Sequence, residues 1–167
     1  MATYTLIDSR TLSAITNSVI FTSIPQTYTD LVIILGARTT GTTDVFKVQP
    51  NGATSTFATA NVQSYGNNST TFSGLTSLIA GGIGANSAGY TPNALGNASI
   101  YCFNYTNALN KSFSIDSSPG AYAAATRIFL TNGYWDTASA ITSMELATVD
   151  GDFNIGSKFY LYGIKNS

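Results

Sequence analysis

At 167 residues the chain is long enough for one domain with its own core, and with 9% charged residues and a net charge of −1 it is too neutral to act through long-range electrostatics. Seven basic against eight acidic residues leave no basic footprint for displacing counterions from nucleic acid or for holding an anionic membrane surface, so neither partner is expected. Polarity comes instead from 24 Thr, 19 Ser and 14 Asn, and the scarcity of Glu, Lys, Arg and Met predicts strands and turns in place of helices.

The first predicted strand is Thr3 to Ile7. The start of the chain has neither the basic residues nor the apolar core of a signal peptide. Ser18 to Thr22 is a second strand, ended by Ile24-Pro25-Gln26, since proline cannot donate to a central ladder. Asp30 to Arg38 follows. Its run Leu31 to Leu35 is apolar on both faces, which predicts a strand buried on both sides or covered by a partner; it is too short to span a bilayer. Thr39 to Thr43 is a loop. Asp44 to Gln49 is a short strand closed by Pro50-Asn51-Gly52, a tight-turn signal. Asn61 to Tyr65 and Ser73 to Ala80 are further strands, separated by the loop Gly66-Asn67-Asn68. Residues 81–97, rich in Gly, Ala and Asn, form either a long surface connection or an arm ordered by a neighbour.

The second half alternates more regularly. Ala98 to Tyr105 places Tyr101, Phe103 and Tyr105 on one face, with Ile100 and Cys102 on the other. Lys111 to Asp116 is a strand, and Ser117 to Gly120 is a turn. Ala121 to Thr131 is read as strand because it ends in Ile128-Phe129-Leu130 ahead of the turn signal Asn132-Gly133. Tyr134 to Ala138 is a loop carrying Trp135. Ile141 to Val149 is a strand, Asp150 to Asp152 a turn, and Lys158 to Ile164 the closing strand. The sum is about eight to ten strands in a single all-β domain over residues 1–167, a jelly-roll-like antiparallel β-sandwich.

Candidate chemistry is sparse. The chain has no histidine, hence no Ser-His-Asp triad and no histidine-centred metal site. Cys102, inside Ile100 to Phe103, reads as a small buried hydrophobe. Asp150-x-Asp152-x-Asn154 has the alternate oxygen spacing that opens a calcium loop, but Ile155 and Leu161 stand where glycine and glutamate belong, so a hairpin turn is the better reading. Gly81-Gly82-Ile83-Gly84 lacks the further glycine and the lysine of a phosphate loop. The Tyr101 face reads as packing between sheets, with sugar or base stacking as the sharper alternative. Tyr134 and Trp135 are the candidate surface contacts, because Tyr and Trp are enriched at interfaces. No catalytic, cofactor or metal-binding residue is expected.

Three segments are familiar in combination: Tyr4-Thr5-Leu6-Ile7, then Ser23-Ile24-Pro25-Gln26-Thr27-Tyr28-Thr29-Asp30-Leu31, and finally Lys158-Phe159-Tyr160-Leu161-Tyr162-Gly163-Ile164. Together they resemble small virion structural proteins of tailed bacteriophages; the middle of the chain, from Thr39 to Gly96, lies outside the likeness. The resemblance implies a non-enzymatic β-sandwich located in the virion. It favours a capsid decoration (cement) protein, a homotrimer that binds the head and clamps the major capsid protein. The alternative is a tail-fibre or receptor-binding module that takes carbohydrate on Trp135, Tyr134 or the Tyr101 face. It implies no catalytic residue.

Overall fold

Alternation along the chain dictates the strands. Lys111–Ser118 buries every second side chain, and Gly96–Cys102 follows the same rule. The computed structural model describes residues 2–65, 68–75, 79–86, 91–122 and 125–165. Within them the chain forms thirteen strands and no helix. These are β1 (Thr3–Thr11), β2 (Ser18–Phe21), β3 (Asp30–Ala37), β4 (Val45–Pro50), β5 (Phe57–Tyr65), β6 (Asn68–Leu75) and β7 (Ile79–Gly82). The second half supplies β8 (Gly96–Cys102), β9 (Lys111–Ser118), β10 (Ala121–Tyr122), β11 (Ala125–Trp135), β12 (Met144–Thr148) and β13 (Lys158–Lys165).

The strands divide between two antiparallel sheets. The large one runs β1-β13-β3-β8-β9-β11-β5-β6, with β10 paired to β11; the small one runs β2-β12-β4-β7. Inward residues of the large sheet, such as Ile33, Ile100, Ile115 and Leu161, share one core with Phe21, Phe46, Val48 and Leu146 of the small sheet. The molecule is an all-β sandwich, as composition and alternation predict. Its sheets are unequal, nine strands against four, and so do not divide the strands evenly as an eight-stranded jelly roll does.

The thirteen strands exceed the eight to ten expected, in part because two predicted strands are each divided. The predicted strand Ala121 to Thr131 falls on β10 and the first part of β11, which pair antiparallel with each other. The predicted strand Ser73 to Ala80 is two strands in different sheets, β6 beside β5 and β7 beside β4. Residues 76–78, between the two, lie outside the described residues. The glycines of β7 let it pack closely: a Cβ at Gly81 would strike the Phe46 ring and Ile115, and one at Gly82 the Phe129 ring and Pro119. The run Gly81-Gly82-Ile83-Gly84 is therefore a close-packing device between the sheets. Of the predicted connection 81–97, Ile83 and Ala85 are fully buried and Gly96 and Asn97 begin β8; residues 87–90 lie outside the described residues.

The segments that carried the family resemblance meet in space. Tyr4–Ile7 lies in β1, Lys158–Ile164 in β13, and Asp30-Leu31 open β3, three consecutive strands of the large sheet. The Thr29 amide donates to the Ile164 carbonyl at 2.7 Å just ahead of β3. Tyr28 lays its ring over Gly163, where any Cβ would collide with it.

Candidate functional site

Because the small sheet covers only one face of the large sheet, the opposite face of β3, β8, β9, β11 and β5 has no second sheet over it among the described residues. Period-2 alternation sends Ile33, Ile100 and Ile115 inward and their neighbours outward. The register aligns those outward neighbours in one row. Tyr160 pairs with Ile34, Ile34 with Ser99, Ser99 with Asp116, Asp116 with Leu130, and Leu130 with Val62. At about 4.8 Å per strand, the row from Ile34 to Val62 spans about 20 Å.

This row carries several exposed apolar side chains. Ile34 is 45% exposed, Leu130 49% and Val62 45%, and Ile128, two residues before Leu130, is 49% exposed. Two shallow grooves lie along it. One, of ≈ 490 Å³, runs between Ile34 and the Ile128–Leu130 pair over Asn97 and Ser99. The other, of ≈ 370 Å³, runs between Leu130 and Val62 beside Ser114 and Asn132. Asp116 and Leu130 line both. The Asp116 side chain is exposed, and it has no hydrogen bond or ion pair with any described residue. Exposed apolar side chains gathered along two grooves, with serine and asparagine groups beside them, make this face the candidate contact surface.

Part of this face is legible in the sequence. The apolar run Leu31–Leu35 predicts a strand buried on both sides or covered by a partner, and β3 is buried on its inner side and, at Val32, on its outer side. Leu31, Ile33 and Leu35 are in the core. Val32 points outward yet is 5% exposed, set between its register partners Tyr162 and Tyr101. Ile34, on the same side, stays open. The contributions of Val62, Ile128 and Leu130 carry no special signal alone, since each is one exposed hydrophobe in an alternating strand.

The residues singled out by sequence lie elsewhere. Tyr134 and Trp135 are not in a loop; they complete β11, paired with β5 and β9. The Asn132-Gly133 turn signal is overridden because Gly133 sits in the ladder between Phe113 and Thr59. Trp135 points inward at 3% exposure, in register with Lys111 and Phe57, so it is a core residue and not a surface contact. Tyr134 faces outward at 41% exposure, and its hydroxyl accepts a hydrogen bond from Asn110, whose Nδ2 also donates to Asp136 Oδ1 at 2.8 Å.

The predicted aromatic face is likewise not formed. The alternation stops at Cys102, and Asn104 turns the chain with a φ of 49°. Phe103 then points to solvent, while Tyr105 is fully buried with its hydroxyl donating to the Pro25 carbonyl. Tyr101 donates to Asp30 Oδ2 at 2.6 Å, and the Asn104 amide donates to Asp30 Oδ1 at 2.8 Å. Burial, together with the Asp30 carboxylate, pushes the Tyr101 hydroxyl up to about 12.

Two further groups are bound into the scaffold. Burial pushes the Cys102 thiol up to about 12, so it stays a neutral thiol in the core, as its apolar surroundings predict. Beside it, Lys111 is 1% exposed, and its Nζ donates to the carbonyls of Asn107 and Leu109; burial lowers its pKa. The Asp150 carboxylate clamps the loop 39–43 by accepting from the Thr42 amide at 2.8 Å, the Thr42 hydroxyl at 3.1 Å and the Thr43 amide at 3.2 Å. Those amides hold its pKa below the usual carboxylate range. The Asp150-x-Asp152-x-Asn154 spacing thus serves a turn that ties two loops together.

Compared with known proteins, the chain matches no protein-family model and no curated sequence.

Proposed function

We propose that this protein is a non-enzymatic structural component of a tailed-phage virion, a capsid decoration protein that binds the head surface and stabilises the lattice of the major capsid protein. The observation that carries this reading is the open apolar row Ile34–Leu130–Val62, with Ile128 beside it, on a chain of net charge −1. Such a surface is suited to a permanent contact made of apolar side chains and serine, threonine and asparagine hydrogen bonds. The resemblance of the three segments that meet at β1, β13 and β3 supports the same reading.

The mechanism is mass action. A protein that bridges neighbouring subunits binds only the assembled lattice and shifts the equilibrium toward intact particles. Homotrimers suit this task because one copy of the binding face then reaches each of several subunits. Electron microscopy of particles that carry the chain tests the reading: density on the head lattice is the expected result, and density confined to the tail overturns it. The contact is expected to survive high salt, since it depends little on exposed charge.

The tail-fibre alternative keeps one observation in its favour. Tyr134 is an exposed aromatic ring beside Asn110 and Asp136, a combination that stacks and hydrogen-bonds sugars. Glycan-array binding that is lost in Tyr134→Ala supports that alternative.

A further inference from the structure

The Asp116 carboxylate on the open face narrows what can cover it. Asp116 stands in the middle of the row, between Ser99 and Leu130, and lines both grooves. The cation nearest to it along the outward rows, Lys158, is three strands away, about 15 Å at strand spacing. Arg127, one strand away, turns to the other side, where it pairs with Asp44, donates to Gln63 Oε1 at 2.9 Å and lies 5.0 Å over the Phe129 ring. The negative field of Asp116 over the two grooves is therefore uncompensated by the described residues.

A purely apolar partner would remove water from that carboxylate and give nothing back, a cost that opposes binding. A second copy packed with the same face inward would bring one Asp116 toward the other, which is also unfavourable. A guanidinium or ammonium among apolar side chains satisfies both features at once. Arginine fits better than lysine, because its planar fork meets a carboxylate with two hydrogen bonds and is more weakly hydrated.

The geometry points to an extended polypeptide segment of the partner, carrying one arginine or lysine flanked by aliphatic residues, laid along the Ile34–Val62 row with its cation on Asp116. This inference rests on the proposed role of the face as the binding surface, and it specifies the chemistry of what binds there. An ion pair formed between apolar walls is screened less by salt than an exposed one, so it is consistent with a salt-resistant contact.

The test uses the whole protein and two blocked synthetic peptides, acetyl-Val-Leu-Arg-Leu-Val-amide and its counterpart with glutamine at the centre, titrated by backbone-amide NMR. The arginine peptide is expected to shift amides of β3, β8, β9, β11 and β5 and to bind on the order of three-fold more tightly than the glutamine peptide, the size of a partly exposed ion pair. Asp116→Asn is expected to erase the difference while leaving the glutamine peptide's affinity unchanged. Equal binding of the two peptides, shifts confined to other surfaces, or no shifts with either one overturns the inference.

Decoration of particles lacking the chain separates this inference from the reading beneath it. Measured as apparent affinity at sub-saturating protein, loss of decoration in Leu130→Asp together with measurably weaker decoration by Asp116→Asn supports both. Loss in Leu130→Asp with full decoration by Asp116→Asn keeps the face and rejects the cation. Full decoration by both variants rejects the face itself.

Discussion

Replacing Leu130 with aspartate separates the proposed contact from the fold more cleanly than any other single change. A leucine side chain gains roughly 1.5–3 kcal/mol on full burial. Leu130 is already about half covered at 49% exposure, so completing its burial against a partner contributes about 1 kcal/mol. Aspartate removes that gain, places a second carboxylate in register with Asp116, and adds a desolvation cost of several kcal/mol in a dry contact. The expected loss is about 3 kcal/mol or more, upward of about a hundred-fold in Kd. The side chain points away from the core, so the folded state should change by less than about 1 kcal/mol. The assay is co-sedimentation of the purified variant with particles lacking the chain, alongside its thermal unfolding. Leu130→Ser should weaken binding by about five-fold through the apolar term alone. As the opposite control, Ile100→Ala, at 1% exposure in the core, should cost about 2–5 kcal/mol of stability. A Leu130→Asp protein that unfolds normally and decorates particles as well as the wild type would falsify the assignment of the contact to this face.

Three further expectations concern the scaffold. The Asp150 carboxyl has a depressed pKa in the folded state, so its contribution is present above the unfolded value of about 3.9 and lost as pH falls through the folded pKa. A carbon-detected NMR titration should place its midpoint below that value, and Asp150→Asn should lower the unfolding temperature at pH 7 more than in strong acid. Gly163→Ala should destabilise by about 1–3 kcal/mol, because the added methyl meets the Tyr28 ring. Adding Tyr28→Ala should recover part of that loss, and strictly additive effects in the double variant would refute the contact. Cys102 should resist iodoacetamide in the native protein and react on unfolding, read by mass spectrometry, since burial raises its pKa to about 12.

Much of the architecture was legible because strand periodicity is a local property. Gly96–Cys102 and Lys111–Ser118 bury alternate residues as their sequences predict, and the position of Cys102 in the core follows from its neighbours. Errors arose where a local signal met a non-local one. Asn132-Gly133 carries turn chemistry, yet pairing on both sides keeps it extended and draws Trp135 inward. Tyr105 follows the alternation on paper, yet the left-handed Asn104 turns it into the core.

Composition alone identifies a nearly neutral chain without histidine and predicts that it is built of strands. The sequence also marked β3 as a strand with too many apolar residues for one buried face. Which of those residues remain open depends on the packing of the two sheets. Ile34, Val62, Ile128 and Leu130 lie far apart in the chain and become one surface through the register of β3, β8, β9, β11 and β5. The same register sets Asp116, which has no partner among the described residues, in their midst. The reason is that alternation assigns each side chain a face, whereas strand order and the size of the opposing sheet decide which face is left uncovered.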